Sequence, residues 1–245
     1  GRGEAHLHVV IDRLKRRFNV EAATSRPKVS YQESVRKPVT QRGRHKKQTG
    51  GHGQFGDVVL EIRPRPRGEG FAFSQKITGG VVPKQWIPSV EQGVRDAMER
   101  GALGFPVTDV EVVLVDGSYH SVDSSEMSFR AAGRLAMSEG LRAGAPYLLE
   151  PVEKIVIHAP QASTSKITQA VSARRGQILG FHPREGWADW DEIEVCLPRA
   201  ERQDLIVELR GLTQGLGEFT AQFDHMAELP GRLAEQVARG EQPAA

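Results

Sequence analysis

At 245 residues with 38% hydrophobic content, the chain is long enough for two compact units with ordinary cores. No apolar run reaches the roughly 18 residues that a membrane helix requires, and a single cysteine, Cys196, excludes disulfides within the chain. The net charge of +2 conceals an asymmetry: residues 36–67 hold nine Lys or Arg against Asp57 and Glu61, about +7, which leaves 24 basic against 29 acidic residues elsewhere, about −5.

In chain order, Gly3–Phe18 reads as a helix, because Leu7, Val10, Ile11 and Leu14 repeat at helical spacing. Its charged, amphipathic character is unlike a secretory leader. The chain opens without Met inside this helix, so a fragment of a longer cytoplasmic protein is expected. Val20–Ala23 and Lys28–Glu33 are predicted strands. Ser34–Arg67 is a predicted basic β-hairpin closed by Pro64, Pro66 and Gly68, with a further strand at Gly70–Lys76. A helix beginning near Pro88 carries Val90, Val94, Ala97 and Met98 on one stripe, and a half-buried strand follows at Val107–Val115. Asp123 with Glu126 has the form of a capping box, opening a helix whose stripe is Phe129, Ala132, Leu135 and Ala136.

Leu149–Pro151 marks an expected boundary. Beyond it come strand Val152–His158, helix Ser163–Arg174, strands Gln177–Phe181 and Glu192–Leu197, helix Ala200–Leu209 and strand Glu218–Phe223. This β-α-β-β-α-β order is the ferredoxin-like pattern. Gly176 occupies the place of a left-handed helix-ending residue. Cys196 reads as a buried, inert thiol in an apolar strand, and Pro230–Arg239 as a last short helix. The fold class expected is α+β: an α/β unit with a βαβ core, followed by a ferredoxin-like unit.

Gly51-His52-Gly53-Gln54-Phe55-Gly56 is formally G-x-G-x-x-G, but a dinucleotide fingerprint needs a hydrophobic strand before it and a helix after it. Here RGRHKKQT precedes and a strand, Val58–Ile62, follows. The glycines still allow a tight turn and close backbone approach, and Gln54 offers an amide donor and acceptor. The downstream turn Gly117-Ser118-Tyr119-His120 is expected to meet this loop at one end of the unit. His120 has no evident catalytic partner and no metal-ligand spacing, so it is either an exposed loop histidine or part of a contact surface. Arg174-Arg175 are either phosphate contacts or solvated helix-end cations, and Trp187 and Trp190 are expected to pack at a sheet corner. No catalytic residue and no metal site is predicted.

Several segments, in order, resemble the C-terminal half of bacterial elongation factor G: Gly50–Gly56, Gly79-Gly80-Val81-Val82-Pro83-Lys84, Gly104-Phe105-Pro106-Val107, Gly117–His120, Asp123–Glu126, Leu149-Glu150-Pro151 and Ala173-Arg174-Arg175-Gly176-Gln177. The resemblance implies the end of a ferredoxin-like third domain (1–33), a fourth domain reaching the decoding region (34–150), a ferredoxin-like fifth domain (151–229), and a C-terminal helix and tail (230–245) returning to the fourth. It implies a monomer that contacts the ribosome, with no membrane partner. Ribosomal RNA and the tRNA–mRNA pair would meet a tip of Gly51, His52, Gly53, Gln54, Ser118, Tyr119 and His120. Arg42, Arg44, Lys46 and Lys47 would lie on phosphates, and Arg174 and Arg175 near large-subunit RNA. No cofactor is expected in this segment, and GTP with Mg would belong to a GTPase domain elsewhere in the parent. Translocation is the activity implied; ribosome protection or recycling, or a stand-alone phosphate-binding enzyme, are the alternatives. The chain departs from the family at His52, where arginine is usual, and across Ala162–Ser165 and Glu201–Val207, as a divergent paralogue would.

Overall fold

The computed structural model describes residues 4–23, 27–48 and 53–240. After the amphipathic helix α1 (Glu4–Phe18), two sheets with their helices account for the chain.

The first sheet contains β2 (Val39–Lys47), β3 (Gln54–Pro64), β4 (Phe71–Gln75) and β5 (Val110–Ser118), in the order β2-β3-β5-β4. β2 and β3 form the basic hairpin; β4 runs parallel to β5, and α2 (Ile87–Met98) makes the crossover. This is the expected βαβ core. α2 and α3 (Glu126–Ala143) cover one face of the sheet. Val58, Leu60, Ile62, Val112 and Leu114 from the strands meet Val90, Val94, Phe129, Ala132, Ala136 and Met137 from the helices, all buried. Two glycines set how closely α3 approaches. A Cβ on Gly43 would lie 2.3 Å from the Ala132 carbonyl oxygen, and one on Gly56 would lie 2.4 Å from that of Ser128.

The second sheet contains β1 (Gln32–Val35), β6 (Pro146–Pro160), β7 (Gln177–Pro183), β8 (Trp190–Pro198) and β9 (Glu218–Glu228). β7, β8, β6 and β9 lie side by side and antiparallel, with α4 (Thr164–Ala173) and α5 (Leu205–Leu212) packed on one face. That is the ferredoxin-like arrangement the sequence predicts. Leu149–Pro151 lies within β6, which runs unbroken from Pro146 to Pro160, and β1 pairs with its first residues. α6 (Gly231–Ala238) sets Leu233, Ala234 and Val237 against Tyr31, Leu103 and Phe105.

Several local expectations are corrected. The predicted strand Val20–Ala23 is irregular, and Lys28–Glu33 supplies only the first residues of β1. The N-cap of α3 is Ser125, which accepts from the Ser128 amide while the Ser128 hydroxyl answers the Ser125 amide, so neither Asp123 nor Glu126 forms the box. After α4 the left-handed residue is Arg175 (φ 59°), not Gly176. Gly176 is instead required by contact, since a Cβ there would lie 2.5 Å from Val171 Cγ1. Cys196 is only part-buried, because β8 turns Ile193, Val195 and Leu197 to the helices and Cys196 to the other face. Leu135 lies on the outer face of α3 rather than in the core.

Candidate nucleic-acid interface

Alternation along β2 decides what each basic residue does. Gly43 and His45 face α3, while Arg42, Arg44 and Lys46 stand on the other face of the sheet and are exposed. Asp57, on β3, is fully buried on that second face. It accepts from Arg42 Nε at 2.8 Å, from Arg42 Nη2, and from the Ser118 hydroxyl at 2.9 Å. Burial alone would raise the Asp57 pKa; the hydrogen bonds from Arg42 and Ser118 outweigh it and hold the carboxyl below its usual range. Arg44 lies over the Phe55 ring, 5.5 Å from its centroid. Among the described residues, Lys46 and Lys47 have no ion-pair partner and are exposed.

The two loops that the sequence places together do meet. The Phe55 amide donates to the Asp123 carbonyl at 2.8 Å, and the Ser124 hydroxyl donates to the Phe55 carbonyl at 2.8 Å. Ser124 Oγ also accepts from the His120 amide at 2.9 Å. The amides of Val122 and Asp123 donate to His120 Nδ1 at 3.3 and 3.2 Å. Asp123 Oδ2 lies 3.4 Å from the same Nδ1, and in the neutral ring that accepts from these amides Nε2 carries the proton, on a side chain that is 54% exposed. A Cβ at Gly53 would lie 2.9 Å from Asp123 Cγ, so this carboxylate rests directly on the glycine backbone. Gln54 Oε1 is 2.8 Å from His45 Nε2, which fixes the amide at the root of the tip. Tyr119 meets Trp86 edge-on at 6.0 Å, and Trp86 stacks on the core residue Phe129 at 5.0 Å. The tip is thereby anchored to the core through aromatic rings.

Against known families, residues 27–145 match the model for elongation factor G domain IV, and residues 147–237 match that for the elongation factor G C-terminus. The chain belongs to the elongation factor G family. An elongation factor G-like protein of Synechocystis is 51% identical over 237 residues, which is 97% of this chain and 35% of that protein. A crystal structure from Thermus thermophilus superposes with a TM-score of 0.89 at 37% identity, covering all of this chain and 36% of that one. The chain thus spans about a third of the length of each of these two matches.

In this elongation factor G segment the predicted site residues fall into separate groups. Gly53, Gln54, Tyr119 and His120 converge at the hairpin end, flanked by Lys46 and Lys47. Gly51 and His52 lie outside the described residues. The Ser118 hydroxyl donates a hydrogen bond to Asp57, and Arg42 is committed to the same carboxylate. Arg174 pairs with Glu208 at 2.6 Å, and Arg175 grips Glu150 at 2.6 and 3.1 Å and Glu201 at 2.8 Å, so neither is a solvated cation. Trp187 and Trp190 pack edge-on at 5.1 Å, with Arg184 over Trp187. Sequence reasoning missed His45 and Trp86 as parts of the tip, and gave no role of their own to Phe55 and Ser124, which lie in the two loops it placed there. The signal for His45 was its place between alternating outward cations, which marks it as facing the other way. Among the described residues no group of His, Cys, Asp and Glu is arranged to hold a metal ion, and no helix is long and apolar enough to cross a membrane.

Proposed function

We propose that this chain is the ribosome-contacting part of a translational GTPase and that its hairpin tip promotes movement of tRNA and mRNA through the decoding region. GTP, Mg and hydrolysis belong to other parts of the parent. The observation that carries this reading is the junction of Gln54 and His120 at one rigid end, through Phe55, Asp123 and Ser124, beside the exposed Lys46 and Lys47. The mechanism is geometric and electrostatic. Lysines meet phosphates as point charges, while His120 Nε2–H and the Gln54 amide present hydrogen-bonding groups to RNA edges. Anchoring through Trp86 and the Asp123 loop holds these groups in place before contact, so little ordering entropy is lost on binding. The Synechocystis relative, by its name an elongation factor G-like protein, supports the same class.

The test uses the full-length parent in a single-turnover translocation assay. His120→Ala and Gln54→Ala should each slow translocation by roughly tenfold, the loss of one hydrogen bond of about 1.4 kcal/mol, while ribosome-dependent GTP hydrolysis persists. Wild-type translocation by both variants would remove these residues from the mechanism.

A further inference from the structure

The arginines of α3 take no part in the tip. Arg130, Arg134 and Arg142 lie on one ridge of the helix with Ser138, each step four residues or about 6 Å along the axis. They line an open groove of about 640 Å³ together with Met127, Ala131 and Leu135 of the same helix and His45 of β2. Arg130 is held by Asp96 through Nε at 2.6 Å and Nη2 at 3.0 Å. Arg134 and Arg142 are exposed and, among the described residues, have no ion-pair partner. Asp96, the carboxylate that lines the groove, is occupied by Arg130, and Glu139 on the neighbouring face of α3 accepts from Gln41 at 2.8 Å.

We infer that this groove on the outer face of α3 is a second RNA-backbone site, taking the phosphates of one strand along Arg134, Ser138 and Arg142, with Arg130 held by Asp96 at its end. Three features favour a phosphodiester chain. The donors are guanidiniums, whose planar forks bind phosphate through paired hydrogen bonds. They form a row rather than a cluster, so they suit a ligand with regularly repeated charge. The apolar lining is limited to Met127, Ala131 and Leu135, too little for a partner held by hydrophobic burial. The site also adjoins the basic strand. β2 is the edge of its sheet, with Arg44 and Lys46 on one side and His45 on the groove side, so positive charge wraps the edge. His45 Nε2 is bonded to Gln54, which makes this imidazole the wall between groove and tip.

The inference extends the RNA-contacting reading to a second surface, so the two are tested side by side. The 245-residue chain is titrated into a fluorescein-labelled RNA duplex at several KCl concentrations, and anisotropy gives the affinity and its salt slope. Arg134→Ala/Arg142→Ala should weaken binding about tenfold or more and reduce the log–log salt slope by about two, one for each lost phosphate contact. Arg134→Lys/Arg142→Lys should keep the slope and lose only a few-fold in affinity, which separates lost charge from a damaged helix. Wild-type affinity and slope in the alanine pair would overturn the inference. So would polyglutamate of equal charge displacing the RNA as well as unlabelled RNA does, since the groove would then be an acidic-peptide site. Lys46→Ala/Lys47→Ala, measured in parallel, reports on the tip alone: an effect there without one at Arg134 and Arg142 sinks the groove, and the converse leaves it standing.

Discussion

Two buried carboxylates show how the same residue class is accommodated in opposite ways. Asp57 is matched by a guanidinium and a hydroxyl and sits below its ordinary value of 3.8. Glu33 is buried without a cation among the described residues. Burial raises its pKa above 4.5, and the amides of Leu103 and Phe105, which donate to Oε2 at 2.8 and 3.2 Å, offset this only in part. Linkage then gives opposite slopes. The folded pKa of Asp57 is depressed, so its contribution is present above 3.8 and is lost as pH falls through the lower folded value. The folded pKa of Glu33 is raised, so stability declines as pH rises from 4.5 through the higher folded value. Urea denaturation as a function of pH checks both. Arg42→Ala should lower stability at neutral pH and flatten the acid limb, whereas Glu33→Gln should remove the decline that begins above 4.5. Arg42 itself was legible in the sequence as a cation on a basic hairpin, but its commitment was not. That depends on register, which sets Asp57 opposite Ser118 and diagonal to Arg42, and register is invisible until both strand pairings are known.

At the scale of elements, the kinds and order of strands and helices were legible from β1 onward because periodicity is a local property, whereas Val20–Ala23 reads as a strand and is irregular. The ends of the elements were less legible. Within Asp123-Ser124-Ser125-Glu126, three side chains have the chemistry of a cap, and the structure gives that role to Ser125, while the Asp123 carboxylate lies against Gly53 and His120 and the Ser124 hydroxyl links the His120 amide to the Phe55 carbonyl. The two side chains that do not cap are engaged in tertiary contacts instead. The same interlocking explains two glycines. Gly56 reads from the sequence as a glycine of a tight, closely approaching loop and Gly43 carries no signal of its own; neither has a positive φ, and both are needed because α3 crosses directly above them. Gly56→Ala must move the α3 backbone, because the obstructing atom, 2.4 Å away, is the Ser128 carbonyl oxygen. It should cost about 1–3 kcal/mol, as overpacking does, measured by urea denaturation. The same shift displaces Ser125 and the His120 loop, so the variant should also lose RNA affinity. Gly68→Ala is the control for added bulk, since nothing lies within 4 Å of its would-be Cβ, although its φ of 86° makes the alanine conformationally strained.

At the scale of the molecule, the two halves of the chain are tied in a way that their separate motifs do not announce. β6 begins beside β1 and continues into the ferredoxin-like sheet without a break. β1 hydrogen-bonds to the loop before β5, through the Glu33 amide to Pro106 and the Thr108 amide to the Glu33 carbonyl, both at 2.9 Å. Arg36 reaches Glu228 on β9 at 3.0 and 2.6 Å while lying 4.3 Å from the centroid of the Tyr147 ring. α6 closes the same junction over Leu103 and Phe105. The sequence suggests a boundary at Leu149–Pro151; in the structure Pro146 and Pro151 belong to one strand, Pro146 opposite Val35 of β1 and Pro151 opposite Met226 of β9. Such coupling has a thermodynamic signature. Trp86 reports on the first sheet and Trp187 with Trp190 on the second, so Trp86→Phe and the double Trp187→Phe/Trp190→Phe variant each leave the fluorescence of one half. Their urea transitions should coincide at a single midpoint, as a cooperative unit requires. Glu33→Ala, which strips the Leu103 and Phe105 amides of their acceptor, should lower the stability read by both signals together by about 1–3 kcal/mol. Separation of the transitions, or a shift confined to the Trp86 signal, would mean that the junction carries no coupling and that the tip and the ferredoxin-like sheet move as independent bodies.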